Sequence, residues 1–334
     1  MRGIITRKKL LFMKDYRSSL SHNNTFSYHL DKSSNRFSKV QTNNISNVDI
    51  QILFSHYPPL STPKNLELRD PVQYENKIIY YGEWEKNSNC RYGRGIQLWP
   101  DGSKYEGYWK NNKANIKGKL THNNGDIYNG EWVDDNAEGY GIYTHCDGAQ
   151  YQGYWKEDKQ NGKGIESWPE GTYYEGNYVD GKKCGKGKFI WSDGSKYEGE
   201  FKDNNINGKG CYTWDDNRKY DGEWRNNKME GKGIFSYPDG RIYQGEFKND
   251  KMNGKGIFTW PNGRKYDGEY KDDRKEGYGL FQWADGRKYK GHWKNGKQNG
   301  EGDFFNVKTK KWRKGIWQDG KRVRWLDEEN KNDE

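Results

Sequence analysis

The side chains that could do covalent, metal or acid–base chemistry in this chain are few and widely scattered. There are four cysteines, Cys90, Cys146, Cys184 and Cys211, and six histidines, His22, His29, His56, His122, His145 and His292. No Cys-x-x-Cys pair occurs, and the spacing offers no Cys/His cluster for a metal. The expectation is therefore free thiols in a reducing compartment, with no zinc site and no disulfide. The histidines have no triad-like setting. Gly-Lys-Gly recurs, as at Gly208-Lys209-Gly210, but a phosphate loop needs Gly-x-x-x-x-Gly-Lys-Ser/Thr between a strand and a helix. Carboxylates such as Glu200, Glu223 and Glu246 return at a fixed interval of 23 residues, so stacking alone brings them near one another. No catalytic residue, cofactor-binding residue or metal ligand is expected, and the chain reads as a non-enzyme.

What must position any site here is a repeat. Tyrosines stand at Tyr105, Tyr128, Tyr151, Tyr174, Tyr197, Tyr220, Tyr243, Tyr266 and Tyr289, every step being 23 residues, with Tyr80 one slightly longer step earlier. A strict period of this size means one supersecondary unit per copy, and such arrays make long binding surfaces. Composition agrees. Of 334 residues only 31% are hydrophobic, while Trp, Tyr and Phe reach 16%. No thick aliphatic core can form, but rings can tile a thin sheet because each covers a large area. The net charge of +10 is uneven: residues 1–78 carry +6 and the other 256 only +4. That near balance argues against a one-signed nucleic-acid stripe.

Counting each tyrosine as position 0, position 2 is Gly in all ten copies and position 4 is always aromatic. Gly-x-Gly follows at positions 11 and 13, position 15 is mostly Phe or Tyr, and position 17 is mostly Trp. Positions 0, 2 and 4 share one face of a strand, and 11 to 17 form a second such set. A polar turn such as Asn249–Asn253 divides them, and Trp260-Pro261-Asn262-Gly263 leads to the next copy as a three-residue hairpin loop. The register expected pairs position 4 with 11, 2 with 13 and 0 with 15. Both aromatic sets then fall on one face, with glycines leaving room for the rings to lie against the backbone, and a charged face opposite.

These residues bring a family into view. Tyr-x-Gly-x-Trp, then Gly-Lys-Gly, then Asp-Gly at a 23-residue period, as in Tyr197–Lys219 and Tyr243–Lys265, resembles the MORN repeat. The resemblance covers about 80–305, with a degenerate copy beyond it. It implies an all-β fold: an elongated single-layer antiparallel meander of tandem β-hairpins, with a largely irregular N-terminal extension. Three regions are expected: a basic, Ser/Asn-rich extension at 1–78, the array at 79–326 and a charged tail at 327–334. Within the extension, Ile50–Phe54 is the one apolar cluster and is expected to dock on the first copy. The basic start reads as a transit peptide or as a tail that orders against a partner. Copies two to four depart from the pattern, at Ile116, His122, His145 and Glu166, and are expected to be irregular.

The functional expectation follows from the rings. A single-layer sheet has no second layer to cover them, and a strip of bare rings exceeds what a soluble monomer shows. The candidate partner-binding face is Tyr197, Phe201, Trp214, Tyr220, Trp224, Tyr243, Phe247, Trp260, Tyr266, Tyr270 and Trp283. Expected partners are helical or extended protein segments, another array of the same kind, or a second copy of the chain, and no nucleic acid. Relatives implied by the resemblance include radial spoke heads of cilia and cytoskeletal scaffolds. The chain is thus expected in the cytoplasm, on an axoneme or cytoskeletal assembly. Alternatives are a peripheral adaptor touching anionic phospholipid through turn residues such as Arg218-Lys219, Arg264-Lys265 and Arg287-Lys288, and a regulatory subunit of a separate enzyme.

Overall fold

The computed structural model describes residues 46–61 and 64–326. The expectations for the transit peptide or partner-bound tail, and for the charged tail at 327–334, fall outside the described residues. The fold is all-β: antiparallel strands follow one another as a meander, from β1 (Leu66–Gln73) to β23 (Lys321–Trp325). Among the described residues one helix, α1 (Asn47–His56), precedes them. The chain divides into two compact units, one ending at Cys184 and one beginning at Gly185. Within each unit the strands pair with their neighbours in sequence.

The sheet takes in β1, which lies inside the segment read as extension. Leu66 to Arg69 pair with β2 (Ile79–Glu85), and the ladder slips where Pro71 stands, since proline has no N–H to give to it. The apolar cluster docks as expected, in the form of a helix. Ser46 caps it: the Asp49 N–H donates to Ser46 Oγ at 3.3 Å, and the Ser46 N–H to the Asp49 carboxylate at 2.8 Å. That reciprocal pair satisfies helix-end donors. Ile50 and Leu53 then bury against Tyr81 and Ile96, on the face opposite Tyr80. Arg94 lies over the Phe54 ring at 3.8 Å and pairs with Glu83 at 2.6 Å.

The register inside each copy differs from the expectation. In the copy from Tyr197, Tyr197 faces Tyr212 and Gly199 faces Gly210, as expected, but Phe201 faces Ile206. Position 4 therefore meets position 9 within its own copy. It meets position 11 of the preceding copy across the strand pair before it, where Phe201 faces Gly185. The cause is the turn. Asp203 and Asn204 both have left-handed φ, 48° and 65°, which closes a two-residue hairpin whose twist suits the strands. The strand resumes at once, and Gly208, at φ 93°, forms a bulge that takes up the extra residues. Met252, read from sequence as part of a polar turn, is likewise a buried strand residue facing Phe247. In the second copy Ile116 stands at the bulge with φ 62°, a strained conformation for a β-branched residue.

The loops between copies form as expected. The Trp260 N–H donates to the Arg264 carbonyl and the Gly263 N–H to the Trp260 carbonyl, both at 3.0 Å, leaving three residues in the loop. Asn217 takes the glycine's place in one copy, with φ 65°.

Candidate interaction face

The site is built from one tyrosine and two glycines. The ring of Tyr197 lies across Gly199 and Gly210, and its hydroxyl donates to the Glu200 carbonyl at 3.0 Å. A Cβ on Gly199 would stand 2.4 Å from that hydroxyl, and one on Gly210 2.3 Å from it. The same arrangement recurs at Tyr220, Tyr243 and Tyr266. Burial pushes these phenols well above their ordinary range, so they remain hydroxyl donors at any physiological pH.

Each such tyrosine meets the position-4 ring of its own copy and that of the next, edge to face. In the N-terminal unit this ladder runs from Tyr80 to Tyr178 with centroids 5.1–5.4 Å apart. In the C-terminal unit it runs from Tyr197 to Trp317, with centroids 4.9–5.7 Å apart. Such pairs add about 0.5–1.5 kcal/mol each beyond burial. At Trp109, Trp132, Trp155, Trp224 and Trp293 the position-4 indole also binds the chain: Trp224 Nε1 donates to the Gly210 carbonyl at 3.0 Å. A second ladder joins positions 15 and 17 in the C-terminal unit, from Phe189 and Trp191 to Trp283 and Phe304, with centroids 4.4–6.0 Å apart.

The consequence differs from the sequence expectation. The rings cover one another, so a second layer is not needed to take them from water. Tyr197, Tyr220, Tyr243 and Tyr266 are fully buried, and Phe201, Trp214, Trp224, Phe247 and Tyr270 nearly so. Of the eleven residues assigned to the face, Trp260 and Trp283 are the two left half-buried. Sequence reasoning named Arg218, Arg264 and Arg287 as turn residues for anionic lipid but did not place them over the rings. Arg218 lies over Trp214 at 5.4 Å, Arg241 over Tyr237 at 4.5 Å, Arg264 over Trp260 at 5.3 Å and Arg287 over Trp283 at 5.7 Å. Each arginine also meets the acid or amide two residues before it: Asp216, Asp239, Asn262 or Asp285. The signal was present in the repeat, as Arg at position 21.

Position 9 is a seat among the rings, filled by Ile206, Met229, Met252 and Lys275 in successive copies. The Lys275 ammonium sits 4.4 Å from Phe281, 4.8 Å from Trp293, 5.0 Å from Tyr266 and 5.6 Å from Trp260. Desolvation, with Arg264 adding to it, depresses this amine from 10.5 to about 8. The folded state thus holds the proton less tightly than the unfolded chain. The penalty is fully present below pH 8, fades as pH rises from 8 to 10.5, and is absent above. Lys275→Met should be about 1–2 kcal/mol more stable than the parent at pH 7. That advantage should shrink across pH 8–10.5, as thermal unfolding at several pH values would show.

Among the described residues none of the four cysteines is in a disulfide. One group of mixed donor side chains, Asp126, His145 and Cys146, comes together in two successive turns of the N-terminal unit. No helix of the described residues is long and apolar enough to cross a membrane.

Fold and site together define a repeat scaffold. The sequence pattern of the MORN repeat matches nine consecutive copies: 105–127, 128–150, 151–173, 174–196, 197–217, 220–240, 243–263, 266–286 and 289–305. The chain belongs to the MORN-repeat family, whose arrays serve as scaffolds for protein or membrane interactions. The hairpin from Tyr80 folds as a further copy ahead of those nine. No protein of curated function matches the chain. Among solved structures it is similar to the TCP domain of SAS-4 (dCPAP) of Drosophila melanogaster, in complex with a proline-rich motif of Ana2 (dSTIL), at 16% identity and a TM-score of 0.26, covering 52% of this chain and 81% of that one. It is also similar to the G-box domain of the microcephaly protein CPAP (14% identity, TM-score 0.24, 68% of this chain and 100% of that one). A streptogramin B lyase matches at 12% identity and a TM-score of 0.15, over 78% of this chain and 86% of that one. Superpositions this weak carry no argument about function.

Proposed function

We propose that this chain is a non-enzymatic scaffold of a cytoplasmic assembly, ciliary axonemal or otherwise cytoskeletal, that presents its aromatic face to helical or extended protein segments. The observation that supports it is the row of half-buried rings with arginines laid over them in the C-terminal unit: Tyr237 with Arg241, Trp260 with Arg264 and Trp283 with Arg287. Trp, Tyr and Arg are the residue types that anchor protein interfaces. The buried Trp224 and Phe247 belong to the framework instead, and the contact surface is the row at positions 17 and 21. In the full chain, Trp260→Ala with Trp283→Ala should retain the sheet by circular dichroism yet release partners that the parent protein captures from its own cells. Retention of all of them by the folded double variant would sink the reading.

An anionic-lipid surface is the second reading, favoured by the regular spacing of those arginines. Their acid neighbours Asp216, Asp239 and Asp285 cancel much of the charge and weaken it. Co-sedimentation with phosphatidylserine vesicles that persists at 0.15 M salt, where screening length is about 8 Å, would promote it.

A further inference from the structure

A repeat shows what each position holds when nothing special is asked of it. Position 17 is Trp or Tyr in most copies, such as Trp168, Trp191, Trp214, Tyr237 and Trp260, but His122 in the second and His145 in the third. Position 18 varies, being Asn123, Pro169, Ser192, Asp215, Pro238, Pro261 or Ala284 in other copies, and is a cysteine at Cys146. Position 21 is Ser103, Ala149, Thr172 or Ser195, or an arginine, in other copies, but Asp126 in the preceding loop. These three departures, separate in the repeat, meet at one point: each residue offers a donor atom within 4.8 Å of the other two.

Part of Asp126 has an ordinary job. Its Oδ1 accepts the Cys146 N–H at 2.9 Å, as Ser103 Oγ accepts the Asn123 N–H at 3.1 Å one copy earlier. A neutral hydroxyl therefore suffices to hold the loop, and the charge is additional. That carboxylate is 2% exposed. Its Oδ2 is fixed by the Tyr143 hydroxyl at 2.6 Å and by Asn124 Nδ2 at 3.1 Å, and Oδ1 faces His145 Nε2 at 3.8 Å. On the other side of the imidazole, Nδ1 faces Asp147 Oδ1 at 3.0 Å and Cys146 Sγ at 3.8 Å. A carboxylate beside the ring orients a histidine that ligates a metal. Cys146 is exposed.

We propose that Asp126, His145 and Cys146 form a transition-metal site, with Asp147 as positioning residue and a water in the fourth place. Carboxylate, imidazole and thiolate together suit Zn²⁺, whose bonds of about 2.0–2.3 Å need closely gathered ligands. The thiol gives up its proton as the ion enters. The spacing rules missed the site because its ligands come from two turns about one copy apart, brought side by side by the sheet.

The test uses the full chain, stripped with chelator and titrated with Co²⁺, then Zn²⁺. One equivalent of Co²⁺ should bind with a thiolate-to-cobalt charge-transfer band, and Zn²⁺ should displace it. His145→Trp and Asp126→Ser restore residues that other copies carry, so both should fold. Each should weaken binding by more than about 100-fold, and Asp147→Asn by about 10–100-fold. Cys146→Ser should lose the charge-transfer band. Absence of stoichiometric binding overturns the proposal. So does a band unchanged in Cys146→Ser and His145→Trp, which would assign the ion to other thiols.

Discussion

Gly210→Ala should cost about 3 kcal/mol or more, as much as emptying a core leucine site. The new methyl would stand 2.3 Å from Tyr197 Oη and 2.5 Å from its Cζ. The tyrosine has nowhere to retreat, because it is fully buried and wedged between Phe201 and Trp224 at 5.2 and 5.7 Å. Gly263→Ala provides the contrast. There φ is 83° but nothing lies within 4 Å of the added carbon, so only backbone strain of about 1–2 kcal/mol remains. Removing the Tyr197 hydroxyl alone, as Phe, should cost about 1 kcal/mol for its bond to Glu200. If the clash is the cause, Gly210→Ala combined with Tyr197→Ala will cost clearly less than the sum of the two. Denaturant titration of the four proteins decides it, and strict additivity would show that the ring does not dictate the glycine.

The second large effect concerns Glu166 and Lys183 in the N-terminal unit. Glu166 replaces the position-15 ring and is 2% exposed. It accepts from Lys183 Nζ, and from the Tyr178 hydroxyl at 3.0 Å. The ammonium also lies 4.9 Å from the Tyr174 ring and 5.4 Å from Tyr178. Lys183→Met alone strands a buried carboxylate and should cost about 3–5 kcal/mol. Sixty-nine residues on, three copies later, the same two places hold Phe235 and Met252. Glu166→Phe with Lys183→Met should therefore match or exceed the parent in stability, since an apolar pair in a buried ion pair's place is often neutral or better. A double variant as unstable as the single one would mean that the charges specify the local packing.

How far the sequence carried the argument varied with the physics involved. The period, the shared aromatic face, the close approach of rings to Gly199 and Gly210 and the three-residue loops all follow from side-chain alternation and turn chemistry, and were legible. The turn at Asn249-Asp250 was misjudged because Met252 sits between polar residues. Only paired left-handed residues there, at φ 49° and 69°, reveal the tighter hairpin. The cover over the rings was not legible either: alternation says which residues share a face, not that Trp224 leans over Tyr220. α1 escaped notice because its ten residues show no clear helical stripe. Ile50 and Leu53 alone are buried, and their value depends on Tyr81 and Ile96 far along the chain.

The seat at position 9 has a wider consequence. Alanine, isoleucine, methionine, glutamine, lysine and arginine all occupy it, from Arg91 and Ala114 to Lys275 and Gln298, while it pairs with position 4 alike at Ala114, Met229, Lys275 and Gln298. Cohesion can then change copy by copy with no alteration of outline. Hydrogen exchange along either unit should be graded rather than uniform, slow where a thioether fills the gap and faster where an amide or a cation does. Evolution could soften a chosen stretch of such a chain by a single substitution, leaving the surface its partners meet untouched.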